Sequence, residues 1–246
     1  MKKFLLVGGL GLMVVLLVAY FAMTYFVGGI VKSTVNRVGP KATQSSVVLS
    51  AATISPLAGT GTLTGFTVGN PAGWSAGNAL SLGTVQLDLE PKSVLSDVIV
   101  INELVVDQPE FNYETRFVSS NIGDLLANIE KYIGAGEKEI GKEEGPPKKF
   151  IVKKLRFTNG KATVGVGVAA LPVPLPEIRL DDVGVAEGGI TGGRLAAVVM
   201  GDVLKSIVAA VAHAPGMTGA NTLEKAKEAG KFIEDSVKSL FKEKKP

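Results

Sequence analysis

The chain has no cysteine, and its only histidine among 246 residues is His213. Without cysteine there is no disulfide framework and no thiolate-bound zinc or iron–sulfur centre. One histidine leaves no material for a multi-histidine metal site and argues against a histidine-dependent triad. Aromatic residues are few, at 6%, while glycine is abundant, at 30 residues. That balance favours turns and closely approached strands over an aromatic-rich core. Charge of one sign is also in short supply. There are 26 Lys and Arg against 23 Asp and Glu, and 24 against 23 once Lys2 and Lys3 are set aside. Nucleic-acid binding needs a basic patch, and this composition gives no argument for one. The chain is 46% hydrophobic and 20% charged, which excludes a disordered polymer.

What is present begins with a long apolar run. Lys2 and Lys3 precede Phe4 to Val31, a stretch with no charge. As a helix it would span about 42 Å at ~1.5 Å per residue, against a hydrocarbon thickness of roughly 30 Å. It is too long for the apolar core of a cleaved signal peptide, and no small-x-small site closes it. A buried core helix of this length without charge is rare. The reading is an uncleaved anchor over 1–31, with Phe4, Leu16, Leu17 and Phe26 facing lipid. Tyr20, Tyr25 and Phe26 lie toward one end, as interfacial aromatics do. Orientation is weakly encoded, because Lys32, Arg37 and Lys41 follow the span as Lys2 and Lys3 precede it.

Residues 32–44, with Gly39-Pro40, read as a polar tether, and 45–135 as a β-rich region ending in a helix. Val85, Leu87 and Leu89 alternate with Gln86, Asp88 and Glu90, the period-two mark of a strand with one wet face. Phe111, Tyr113, Thr115 and Phe117 alternate in the same way. Val98 to Val106 is apolar on both faces, with Val98, Val100, Leu104 and Val106 on one side and Ile99, Ile101 and Val105 on the other. Such a strand needs two covers. Ile122, Leu125, Leu126, Ile129 and Ile133 predict an amphipathic helix over Asn121 to Ile133.

Residues 136–149 read as a charged, Gly/Pro-punctuated linker. A second β region follows, with an apolar helix, over 150–215. Asn159-Gly160 is a hairpin signal between Phe150–Phe157 and a return strand Lys161–Ala169. Pro172, Pro174 and Pro176 restrict their segment to an edge or a connector. Ile101, Leu104, Val106, Phe111 and Tyr113 align with Val152, Leu155, Phe157, Ala162 and Val164 at an offset of about 51 residues. Either internal duplication or the common look of β-hairpins accounts for that match. Leu195 to Val211 is an apolar helix with a narrow polar stripe at Asp202, Lys205 and Ser206, suited to burial against a sheet rather than to a second span. Residues 216–246 form a C-terminal amphipathic helix. It packs on its own domain or meets a membrane surface or a partner.

Residues for chemistry are scarce. Gly188-Gly189 and Gly192-Gly193 fit no phosphate-cradling pattern. Asp181-Asp182 and Glu143-Glu144 are adjacent pairs whose side chains point apart in extended chain. No serine lies in a nucleophile-elbow context. His213 reads as a cap or structural residue. The expectation is no enzyme, no cofactor and no metal.

Gly59-Thr-Gly-Thr-Leu-Thr-Gly-Phe-Thr-Val-Gly-Asn-Pro-Ala-Gly-Trp74 resembles the strand that ends in Asn-Pro-x-Gly-aromatic in AsmA-like envelope proteins. Ala79 to Leu89, Ser93 to Ile101 and Pro109-x-Phe-x-Tyr-Glu114 extend the resemblance, as does the anchor. It covers about residues 1–135 well and the later Leu175-Pro176-x-Ile178 region loosely. It implies an α+β fold: an N-terminal transmembrane helix followed by a curved antiparallel sheet, groove- or taco-like, with amphipathic helices packed on it. It also implies a bacterial inner-membrane protein, single-pass, with its globular part in the periplasm.

Residues expected to line a groove for phospholipid are Phe66, Trp74, Val98, Val100, Leu104 and Val106. Trp74 serves as a core plug or touches ligand. Two functions compete: lipid binding or movement along the groove, and a structural or assembly role with the groove filled by Leu195–Val211. Envelope proteins are possible partners of the C-terminal helix. The chain is far shorter than the long members, which weighs against its bridging two membranes alone. A small sandwich of late-embryogenesis-abundant type also favours an Asn-Pro strand end, but the linker and the long helices argue against it.

Overall fold

The structure, a computed structural model, describes residues 2–116, 119–135, 148–165 and 170–212. Side chains of residues 2–12, 14–16, 19 and 23 fall outside that description. The expected C-terminal helix over 216–246 and most of the charged linker, 136–147, also lie outside the described residues.

The chain starts with one long helix, α1 (Lys2–Thr43). The expected tether over 32–44 is therefore absent, because the helix runs on through Gly39-Pro40. Val27, Val31 and Val35 pack against the core. Each valine contributes up to about 1.5 kcal/mol by burial, which offsets the ~3 kcal/mol that an interior proline costs.

Strands β1 (Val47–Ser55), β2 (Thr60–Gly69), β3 (Asn78–Leu89), β4 (Val98–Asp107) and β5 (Glu110–Tyr113) follow. A short pair, β6 (Thr115–Arg116) with β7 (Ser119–Ser120), leads into α2 (Asn121–Gly134). After the linker come β8 (Lys149–Thr158), β9 (Lys161–Val164), β10 (Leu171–Pro174), β11 (Ile178–Val183) and β12 (Ile190–Thr191), then α3 (Gly192–Ala212). Ser120 caps α2, its hydroxyl accepting from Gly123 N at 3.0 Å, and α2 matches the periodicity of Ile122 to Ile133.

Ten strands form one sheet. β4 and β5 lie on one line, since β3 meets both in a single register: Thr84 opposite Asp107, Leu80 opposite Phe111. β8 and β9 form the next line, and β10, β11 and β12 the edge beyond it. From β1 to the β10 edge, neighbours in the sheet are neighbours in sequence. Most pairs are antiparallel, but β4 runs parallel to β8 and β5 parallel to β9. The sheet is thus mixed, not antiparallel throughout as expected. The crossover through α2 is the physical reason, because a helix between two strands returns the chain in the same direction.

That parallel pairing joins the two aligned segments. Ile101 lies opposite Val152, Leu104 opposite Leu155, Val106 opposite Phe157, Phe111 opposite Ala162 and Tyr113 opposite Val164. Asn159-Gly160 is not a hairpin turn. It interrupts the β8–β9 line, as Gln108-Pro109 interrupts β4–β5, and the chain reverses only between β9 and β10. Pro172 and Pro174 do lie on an edge strand, which pairs with β9 alone.

The interruptions fall on one line across the sheet. Pairing skips Ser50 with Gly65, Gly65 with Gly83, and Gln108 with Asn159. Gly65, Gln108 and Asn159 have φ of 64°, 53° and 54°. Inward-facing residues are spaced by three there instead of two: Leu63 and Phe66, Leu82 and Val85, Val106 and Pro109, Leu175 and Ile178. Each strand carries an odd residue at the crease, and because neighbouring strands do so together the register is kept across it. A second, shorter row separates Ile101 from Leu104, Val152 from Leu155 and Leu180 from Val183, with Asp182 at φ 53°.

One face of the sheet carries the core. α2 supplies Ile122, Leu125, Leu126 and Ile129, and α3 supplies Ala197, Val203, Leu204 and Ile207. α1 lies along β1, α2 packs between α1 and α3, and α3 reaches β8, β10, β11 and β12. The protein is α+β, a large mixed sheet with helices over its apolar face.

Candidate functional site

α1 and β1 form the most specific junction. They run antiparallel, so that Gly39 meets Val47, Asn36 meets Leu49, Gly28 meets Ala52 and Tyr20 meets Ser55. Gly28 has a physical reason to be glycine, since a Cβ there would lie 2.1 Å from the Ala52 carbonyl oxygen. Leu49 N–H donates to Asn36 Oδ1 at 2.7 Å, and Asn36 Nδ2 donates to the Leu49 carbonyl at 3.3 Å. The side chain thus stands in for a missing strand on the outer edge of β1. Tyr20 Oη and Ser55 Oγ lie 2.6 Å apart at the other end of the strand.

Of the anchor residues named from sequence, Phe4 and Leu16 have side chains outside the description. Leu17 and Phe26 are exposed, and Phe21 and Tyr25 beside them are 66% and 87% exposed. Among the described residues, α3 is the helix long and apolar enough to cross a membrane, but much of it is buried. Its Ala197, Val203 and Ile207 are in the core, and Lys205 donates to Asp202 at 3.0 Å within its polar stripe.

The six groove residues do not share a surface. Val106 is 1% exposed, beneath the helices, and Leu104 and Phe66 pack on the same side. Val98 and Val100 are half-buried and outside the core cluster. Alternation with Ile99 and Ile101 puts them on the opposite face. Counting by twos from Val98 to Val106 placed all four together, and the bulge between Ile101 and Leu104 is what separates them. The apolar face on which Phe66, Leu104 and Val106 lie is covered by the chain's own helices.

The opposite face bears an open depression of about 610 Å³ at the crease, with Ser81, Thr84, Gln86, Asp107, Gln108 and Glu110 in its lining. Its lining is mixed, with Val105 and Gly83 among the polar residues, and its two carboxylates are already paired. Asp107 Oδ1 accepts from Asn159 Nδ2 at 2.7 Å and Thr158 Oγ1 at 3.0 Å. These bonds, Asn159 first, hold its carboxyl below the usual range. Lys161 Nζ lies 2.7 Å from Glu110.

Trp74 is off the sheet altogether. It sits in the turn between β2 and β3, where its Nε1 donates to Asp124 Oδ2 at 2.8 Å in the first turn of α2. The Arg116 guanidinium lies 4.9 Å over its ring. Asn70, of the Asn-Pro pair, joins a closed network. Its Nδ2 donates to Glu114 Oε1 at 3.0 Å and to the Ser75 carbonyl at 3.1 Å, while its Oδ1 accepts from Asn121 at 2.7 Å. Asn121 is fully buried and also binds Glu114 N and the Asn112 carbonyl. Glu114, 4% exposed, receives both Ser75 N and Ser75 Oγ. The motif therefore locks the β2–β3 turn to the start of α2. Sequence reasoning missed Glu114 and Asn121, because nothing in their local pattern marks them as buried.

Among the described residues no group of His, Asp and Glu could hold a metal ion. No family model, no curated protein and no solved structure matches this chain.

Proposed function

We propose that the chain is a non-enzymatic, membrane-anchored envelope protein with a structural or assembly role. In this reading α1 is both the anchor and part of the body. The bacterial inner membrane holds its uncharged first half, and the sheet stands in the periplasm, as the resemblance to AsmA-like proteins implies. The observation that carries the reading is the covering of the apolar sheet face by α1, α2 and α3, which leaves a folded body joined stiffly to its membrane helix. Membrane phospholipid is the expected partner of α1, and other envelope proteins are partners for the C-terminal segment. No nucleic-acid role and no cofactor is proposed.

The competing proposal, phospholipid carried along the sheet, needs α2 or α3 to leave that face. A transfer assay separates the two. Full-length protein in donor vesicles should leave fluorescent phospholipid exchange with acceptor vesicles at its spontaneous rate. Acceleration would overturn the structural reading and restore the groove. For location, protease added to spheroplasts should digest the body without lysis. Protection until lysis would contradict a periplasmic body.

A further inference from the structure

Three turns gather at one end of the sheet. They are the β1–β2 turn at 56–59, the β3–β4 loop at 90–97 and the β11–β12 turn at 184–189. Gly59 lies against the Leu89 carbonyl and Pro91, Lys149 N donates to the Asp97 carbonyl, and Gly189 lies against Val98 and Lys149. α1 leaves the body at this same end, since Tyr20 meets the last residue of β1. Each turn exposes one large apolar side chain: Leu57 at 68%, Leu95 at 65% and Val185 at 47%. The other exposed large apolar residues described outside α1, Val48 and Leu171, lie at the opposite end.

The part of α1 that lies beyond the body is short for a membrane span. From Lys3 to Tyr20 it rises about 26 Å at ~1.5 Å per residue, less than the roughly 30 Å of a hydrocarbon core. If Lys2 and Lys3 hold the far interface, the near boundary falls some way beyond Tyr20, at the level of Tyr25. Tilting the helix draws the body closer still. Exposed Phe21, Tyr25 and Phe26 then form the interfacial aromatic belt. Leu57 lies past Ser55 in the direction of the bilayer, so it cannot remain in bulk water.

We propose that this end of the sheet rests in the lipid interface, with Leu57, Leu95 and Val185 inserted as apolar contacts. The inference rests on α1 being the membrane anchor. The charges nearby carry no positive excess, with Lys92, Lys148 and Lys149 against the four acids Glu90, Asp97, Asp182 and Glu187, and Lys148 is paired with Asp97 at 3.3 Å. Insertion is therefore driven by apolar contact and does not require anionic lipid.

The absence of native cysteine makes the test direct. Full-length L57C, L95C and V185C proteins carry an environment-sensitive fluorophore in phosphatidylcholine vesicles containing lipid spin-labelled near the headgroup. V18C reports the anchor. L171C, roughly 50 Å of strand away, is the control. The expected result is blue-shifted emission and loss of intensity at 18, 57, 95 and 185, with L171C unchanged. Quenching at 18 with none at 57, 95 and 185 would overturn this inference and leave the anchor standing; a protein partner on the rim would give that result. No quenching at 18 would overturn the anchor itself, and the inference with it.

Discussion

Asn36 holds Leu49 by both backbone polar groups, accepting its N–H and donating to its carbonyl. Leu49 is fully buried, so neither group has water as a substitute. Asn36→Ala should leave both unpaired and cost about 1–3 kcal/mol. Thermal unfolding of the micelle-solubilised protein should show a midpoint lower by roughly 2–4 °C per kcal/mol lost. Asn36→Asp keeps the acceptor and loses the donor, and should fall between Ala and wild type.

Gly28 and Gly29 are neighbours with opposite expectations. Gly28→Ala drives a Cβ into the Ala52 carbonyl and forces α1 off β1, costing about 1–3 kcal/mol. Gly29 has open space around its Cβ position, so Gly29→Ala should be neutral or stabilise the helix by up to about 1 kcal/mol. Limited proteolysis near residues 44–46 reads the difference. Equal cleavage of the two variants would mean that α1 is not packed as described.

Glu130 on α2 has a buried Oε1 without a hydrogen-bond partner, and burial holds its carboxyl above the ordinary range. The folded state therefore takes up this proton at higher pH than the unfolded state does. Its contribution to stability improves as pH falls through the raised folded value and is fully gained below the unfolded value near 4.5. Glu130→Gln should raise the melting temperature at pH 7 and flatten the stability profile in that window. Unchanged curves would place the carboxylate in water.

Trp74 distinguishes packing from ligand contact. Trp74→Phe removes the bond to Asp124 and weakens the contact with Arg116, and should lower stability by about 1 kcal/mol. Phospholipid retained by the purified protein, measured by native mass spectrometry, should not change. A loss of lipid with unaltered stability would return Trp74 to a binding role.

Part of this fold is legible in the sequence. Periodicity places α2 and α3, alternation places β3, and proline spacing places the β10 edge. The offset of about 51 residues becomes the register of β4–β5 on β8–β9, a pairing between segments that the alignment had matched only by type. Three things were not legible. A bulge adds one residue and leaves no compositional mark when it falls between Ile101 and Glu103, so strict alternation puts Val98 on the same face as Leu104 when the two lie on opposite faces. Asn159-Gly160 permits positive φ, and a kink uses that freedom as well as a hairpin does. Gly39-Pro40 looks like a break, and only the tertiary contacts of Val31 and Val35 carry the helix to Thr43.

The central claim is that α1 and the sheet form one unit with no joint between them. Hydrogen exchange on the full chain in lipid nanodiscs tests it most directly. The amides of residues 32–38 should exchange as slowly as those of α2, because they lie inside a helix packed on β1. Fast exchange across that stretch, with protection on both sides of it, would contradict the account and put a flexible tether where the helix is described.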